Sequence, residues 1–163
     1  ASLEHHGHFG PSHDVVWGLG VRQWNSYFQN NARVQFSEPR WASALYTGFM
    51  QDEIALLHTR AALTLGSKIE HNGMTGWELQ PSARLLYHAG DEASIWAAWS
   101  RAVRTPSLAD RTASANLLVT PTPYGPALLQ VLGSPDLRSA SVVARGISIR
   151  FSPLATHALG TPD

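Results

Sequence analysis

The sequence predicts an all-β protein, an antiparallel meander of about six long strands. Three observations carry this. Apolar residues recur with period two in segments of roughly ten residues, as on a half-buried pleated strand. Short turn-forming connections alternate with longer polar or proline-rich ones. Only 15% of residues are charged, against about 25% in a soluble globular domain. The chain is nevertheless rich in aromatics, with 6 Trp, 4 Tyr and 5 Phe, and its mean hydropathy is a near-neutral −0.14.

Residues 1–12, rich in His and Gly, read as a loop or a frayed end. The first strand signal is Val15 to Arg22, with Val15, Trp17, Leu19 and Val21 sharing one face. The tract from Asn25 to Arg40 is polar and holds Pro39, which makes it a loop. A second strand runs from about Trp41 to Leu56, with blurred alternation. Leu63 to Glu70 alternates cleanly: Leu63, Leu65 and Ile69 oppose Thr64, Lys68 and Glu70. His71 to Gly76 supplies turn residues between two strand patterns. The next strand, Trp77 to Tyr87, sets Leu79, Ala83, Leu85 and Tyr87 against Glu78, Gln80, Ser82 and Arg84. A short turn over 89–92 leads to a strand from about Ser94 to Val103. Residues 105–141 are loop-rich, because their five prolines exclude a central strand or a long helix. A last strand spans about Val142 to Phe151, where Arg145 is out of place on an apolar face.

Strands of this length suit a tilted bilayer crossing of about ten residues. Short turns on one rim and long loops on the other are what outer-membrane barrels show. A soluble up-and-down barrel or sandwich satisfies the same periodicity, so the pattern alone leaves both readings open. A balanced charge, with 12 basic and 12 acidic residues, argues against a nucleic-acid partner. The absence of cysteine excludes disulfides and thiolate metal sites. No apolar run approaches the ~18 residues of a spanning helix. The first residues have neither the basic start nor the apolar core of a signal peptide.

Several stretches resemble, in order, the barrel of TonB-dependent receptors. Gly48-Phe49-Met50-Gln51-Asp52-Glu53-Ile54-Ala55-Leu56 is similar to the family's aromatic-x-Gln-Asp-Glu segment at the periplasmic end of a strand. Leu63 to Asn72 and Thr75 to Leu85 look like its Leu-Thr-Leu-Gly, Glu-His-Asn and Gln-Pro-Ser-Ala-Arg hairpin. Trp96 to Ser107 resembles the strand ending in Arg-(Ala/Thr)-Pro-Ser, here Arg104-Thr105-Pro106-Ser107. Gly133-Ser134-Pro135-Asp136-Leu137-Arg138-Ser139 is similar to the segment that opens the following strand. The chain then departs: the family usually places Glu after that Ser, and a Glu-x-Gly-Tyr-Arg further on, where Ala140 and Ala144 to Arg150 stand here.

The resemblance implies a curved part of a large transmembrane barrel of about 22 strands with a plug inside. It implies residues 1–163 to be one partial barrel domain, a fragment with the plug and the TonB-contacting segment absent. It further implies outer-membrane lipid, the TonB complex, the plug and a small ligand as partners, with no nucleic acid and no cofactor. The cargo would be a ferric siderophore or a cobalamin-like compound. Ligand-binding candidates are Trp24, Tyr27 and Tyr124 in or beside the long loops, and Lys68, Arg84 and Arg104 on the polar face. Lys68, Arg84 and Arg104, with Glu70 and Glu78, would line the lumen, or merely hydrate the wall and pair across strands. All six Trp lie near strand ends or on strands, where an aromatic girdle would place them, or some of them face the lumen or a core instead. The alternatives are a smaller self-contained outer-membrane barrel acting as adhesin or enzyme, and a soluble β-sandwich binding module. No Gly-x-Ser-x-Gly elbow or phosphate-cradling loop supports an enzyme. His5, His6, His8 and His13 fit no standard zinc spacing and read as a His-rich terminus. Gln51, Asp52 and Glu53 cannot share a substrate, since neighbours on a strand point to opposite faces.

Overall fold

A computed structural model describes residues 1–58, 60–90 and 92–151. Its strands are β1 (Ser2–Phe9), β2 (His13–Tyr27), β3 (Val34–Phe36), β4 (Arg40–Leu56), β5 (Ala61–Asn72), β6 (Gly76–His88) and β7 (Ala93–Arg104). A one-turn helix, α1 (Leu108–Thr112), precedes β8 (Ala113–Thr122), β9 (Gly125–Leu132) and β10 (Ala140–Phe151). Seven strands form one antiparallel sheet in the order β1-β2-β4-β5-β6-β7-β10. This is the expected meander with one strand added.

The added strand is β1. Residues 1–12 are not a loop: Ser2 to Phe9 pair in register with Gly20 to His13 of β2. The sequence hid it, because three histidines spread over both faces and Gly7 between them blur the alternation that Leu3 and Phe9 mark. Gly10, at φ 67°, makes the turn that an L side chain resists. The last strand, despite its departure from the family pattern, is regular and pairs with β7 from Ala140↔Arg104 to Phe151↔Ala93.

The long connections are also structured, and here the loop expectation is corrected. β2 runs on to Tyr27, and β3 lies inside the 25–40 tract. β3 pairs with β8, which pairs with β9, so two long connections interlock as a three-stranded sheet. Asn116 Nδ2 donates to the Ala32 carbonyl at 2.7 Å, and the Ser37 N–H donates to the Thr112 carbonyl at 3.0 Å. Pro121 and Pro126 are tolerated because they face each other beside the hairpin tip, beyond the stretch where β3 pairs. Helix α1 begins with a capping box. The Asp110 N–H donates to Ser107 Oγ at 3.1 Å, and the Ser107 N–H donates to Asp110 Oδ2 at 2.9 Å.

The main sheet is a single layer. Among the described residues only Val15 and Ala61 are buried hydrophobics, and no large side chain is fully buried. A soluble sandwich or soluble barrel needs its apolar faces to meet in one core. Here Leu19, Met50, Leu79, Ile147 and Ile149 all lie on one face and all stand open, Ile147 at 80% exposure. The soluble β-sandwich alternative requires a shared core that the described residues do not form.

Candidate functional site

Register assigns the two faces. Trp17↔Met50, Leu19↔Gly48, Gly48↔Ile69 and Ile69↔Leu79 run across four strands on the apolar face. Gly20↔Thr47, Thr47↔Glu70, Lys68↔Gln80 and Thr64↔Arg84 run across the other. Close approaches agree. A Cβ on Gly48 would meet Leu19 and Ile69, whereas one on Gly20 would meet Thr47 Oγ1 at 2.6 Å.

The apolar face carries aromatics at both ends. Tyr46, His71 and Trp77 cluster towards the long-loop rim, with ring centroids 6.3 Å and 4.6 Å apart. Phe9, Tyr87 and Phe151 lie towards the short-turn rim, near the ends of β1, β6 and β10. Trp77 and Tyr87 share one face of β6, and ten steps of ~3.3 Å at a tilt of ~40° put them about 25 Å apart in height. That is the height of the apolar band between the aromatic girdles of an outer-membrane barrel. The six Trp divide between the girdle face and the lumen face, both of which the sequence left open to them. Trp17, Trp77 and Trp99 are on the apolar face, but Trp24, Trp41 and Trp96 fall on the polar one.

The polar face forms a cleft below the long connections. A linked set of side chains crosses it. Lys68 Nζ pairs with Glu70 Oε1 at 2.7 Å, and Gln80 Nε2 donates to Glu70 Oε2 at 2.8 Å. The Val103 N–H donates to Gln80 Oε1 at 3.4 Å. Glu70 sits opposite Glu78 in register, so the Lys68 ammonium offsets a like-charge pair. On one side of this ridge a cavity of 630 Å³ is lined by Ala1, Gly20, Arg22 and Thr47. On the other, one of 420 Å³ is lined by Trp24, Asn72, Met74, Val103 and Pro106. Leu45, Lys68 and Glu70 line both.

Of the six ligand-binding candidates, the structure brings Trp24 and Lys68 together, on the walls of the 420 Å³ cavity. Arg84 lies on the same face but lower, opposite Thr64 and Ala98. Arg104 lines a separate 480 Å³ cleft with Asp110, Leu132 and Leu137 under the interlocked connections. Tyr27 is on the opposite face from Trp24, three residues on, with the Arg40 guanidinium 5.5 Å from its ring centre. Tyr124 is fully exposed at the β8–β9 tip.

Two residues position this rim, of which the sequence pointed to Asn72 as a turn residue and gave no sign of Arg111. Arg111 donates to the Met74 carbonyl at 2.7 Å and to the Pro135 carbonyl, tying the long 105–139 connection onto the tight β5–β6 turn. Asn72, only 4% exposed, builds that turn: its Oδ1 accepts from the N–H groups of Met74 at 2.8 Å and Thr75 at 2.9 Å. The Ser107-x-x-Asp110 spacing was the signal for α1; Arg111 left none, since its partners are backbone carbonyls distant in sequence. Asp110 in this connection has its carboxyl held below the ordinary value of 3.8, first by the Ser107 N–H, then by the Ser107 hydroxyl and the Arg104 charge, against some desolvation. The Gln51-Asp52-Glu53 tract divides between faces as expected. Asp52 turns to the apolar face and contacts His13 Nδ1 at 2.7 Å.

A single-layer antiparallel sheet, apolar on one face between two aromatic belts and polar on the other, is part of the wall of a transmembrane β-barrel. The family model of the TonB dependent receptor-like β-barrel matches residues 1–155, and the chain belongs to that family. The family consists of receptors rather than enzymes, and its members are outer-membrane β-barrels. Three solved structures share the fold. A mutant of the ferric enterobactin receptor PfeA from Pseudomonas aeruginosa superposes with a TM-score of 0.70 at 15% identity, covering 93% of this chain and 24% of that one. The siderophore receptor PirA from Acinetobacter baumannii gives 0.71 at 11% identity, covering 93% and 24%. PirA from Pseudomonas aeruginosa gives 0.65 at 20% identity, covering 93% and 28%. The chain thus spans about a quarter of the length of the solved receptors it matches. No curated protein matches the sequence significantly.

Proposed function

We propose that this chain is wall and rim of an outer-membrane TonB-dependent receptor that takes up a ferric siderophore. The observation that carries the reading is the two-faced single sheet, bare and apolar for about 25 Å between aromatic belts, in a chain whose structural neighbours include siderophore receptors. The short-turn rim then faces the periplasm and the interlocked connections face the cell exterior. The apolar face meets lipid, and the polar face meets a plug and the passing ligand. Energy comes through the TonB complex.

Within this reading, Trp24 and Lys68 contact ligand from the cavity below the rim, Arg104 from the cleft beneath the interlocked connections, and Tyr124 from the hairpin tip. A ferric siderophore is bulky, and those built on catecholate or hydroxamate groups present oxygen-rich, often anionic surfaces. The Lys68 ammonium shares its cavity with the Trp24 indole and its ion-pair partner Glu70, and the Arg104 guanidinium offers a cation in the separate cleft, groups that suit such a surface. Arg84, lower on the wall, meets ligand in transit or the plug in this reading. Tyr27 faces away from this path, and its part is packing against Arg40 at the rim.

The test is accumulation of radiolabelled iron supplied as ferric siderophore to iron-starved cells. Cells lacking the protein should lose uptake of one siderophore class, and the Trp24→Ala, Lys68→Ala double variant should restore it only in part. Unchanged uptake of every ferric siderophore in the deleted strain would overturn the cargo assignment. Recovery of the protein in the soluble fraction would overturn the membrane assignment.

A further inference from the structure

We propose that the β1–β2 hairpin holds a divalent transition-metal site made by His6, His8 and Asp14. Residues two apart on a strand point the same way, so the His6-x-His8 spacing sends both imidazoles to the polar face. Asp14 is the register partner of His8, and His6 lies diagonally across from it. One ligand atom from each of the three falls within 4.8 Å of the others. His8 Nδ1 is 3.5 Å from Asp14 Oδ1, and His6 Nε2 is in direct contact with the same oxygen. The two rings are 5.0 Å apart and inclined at 63°, so their nitrogens converge on the carboxylate rather than stacking side by side.

This geometry suits a metal. Ligands at ~2.0–2.2 Å around a tetrahedral ion stand about 3.3–3.6 Å from one another, the separation His8 and Asp14 already have. Glu53 is the partner of Asp14 on β4 and shares the same face, adding a second carboxylate beside the site. Two neutral imidazoles flanked by two carboxylates favour a dication. Imidazole donors select Zn²⁺, Co²⁺, Ni²⁺ or Cu²⁺ over Ca²⁺ and Mg²⁺, which take oxygen. Three protein ligands leave a position open to water or to Glu53. The sequence spacing matched no zinc motif because the third ligand comes from across a turn. The other two histidines of the group are elsewhere: His5 lies against Trp17 on the opposite face, with ring centroids 5.8 Å apart, and His13 contacts Asp52. The proposal does not depend on the cargo assigned above.

The experiment is a Co²⁺ titration, followed by visible d–d absorption, and a Zn²⁺ titration by calorimetry. Both use the protein purified from outer membranes in detergent, with heat-modifiable gel mobility confirming that each variant is folded. Wild type should bind one more equivalent than the His6→Ala, His8→Ala double variant. His8→Ala and Asp14→Asn singly should weaken that equivalent by at least about tenfold, since losing a direct ligand costs no less than losing an outer-shell partner. His5→Ala and His13→Ala should leave it unchanged. Equal binding in wild type and the double variant would overturn the proposal and leave the three side chains as a His–carboxylate pair. Equal loss in His5→Ala would overturn it too, by locating the metal at another histidine set.

Discussion

Two neighbouring residues on β6 separate the lipid wall from every water-facing alternative. Ala83 is on the apolar face, between Leu65 and Trp99 in register; Ser82 is on the polar face, between Gly66 and Ser100. Ala83 is four steps from Tyr87, which at ~3.3 Å per step and a tilt of ~40° places it about 10 Å inside a band about 25 Å high. An arginine there meets hydrocarbon and should cost about 2–4 kcal/mol. The same arginine at Ser82 meets the lumen, among glycine and serine neighbours, and should stay within about 0.5 kcal/mol of wild type. The assay is denaturant unfolding of Ala83→Arg and Ser82→Arg in phospholipid vesicles, read by tryptophan fluorescence. The refuting result is a Ser82→Arg cost equal to or above that of Ala83→Arg. Equal, small effects would mean that both faces see water, and the wall assignment would fall.

Arg145 is the register partner of Trp99 on the apolar face, so Arg145→Leu should raise stability in vesicles by about 2 kcal/mol; unfolding midpoints check it. Asn72→Ala should cost about 1–3 kcal/mol, because the buried Asn72 side chain satisfies two turn N–H groups that would be left unpaired. Arg111→Ala should release the 105–139 connection from the β5–β6 turn, seen as faster protease cleavage there with the barrel core intact. Asp110 has a depressed folded pKa, so its support of α1 is present above the ordinary carboxylate value of 3.8 and is lost as pH falls through the lower folded value. Asp110→Asn should therefore increase cleavage of the same connection at neutral pH, where the ionised carboxylate otherwise holds its partners.

Six of the seven wall strands were legible in the sequence, often to within two residues of their ends. Strand periodicity is a local property: where one face is apolar and the other polar, the alternation is written directly in the residues, as at Leu63 to Glu70. The same alternation assigned Lys68 and Arg84 to the polar face, and marked Arg145 as a charge on the wrong one. What the sequence could not decide was where the apolar face goes. Burial in a second layer and exposure to lipid write the same pattern, and only the single-layer sheet with its face bare separates them. Nor could it show β1, where histidines on both faces blur the contrast between Leu3 and Phe9 and their polar neighbours, and pairing with β2 sets the strand. The interlocking of β3 with β8 and β9, the Arg111 tie and the meeting of His6, His8 and Asp14 are contacts across a turn or across distant segments. Such contacts depend on register, which pairing between strands sets and no single segment contains.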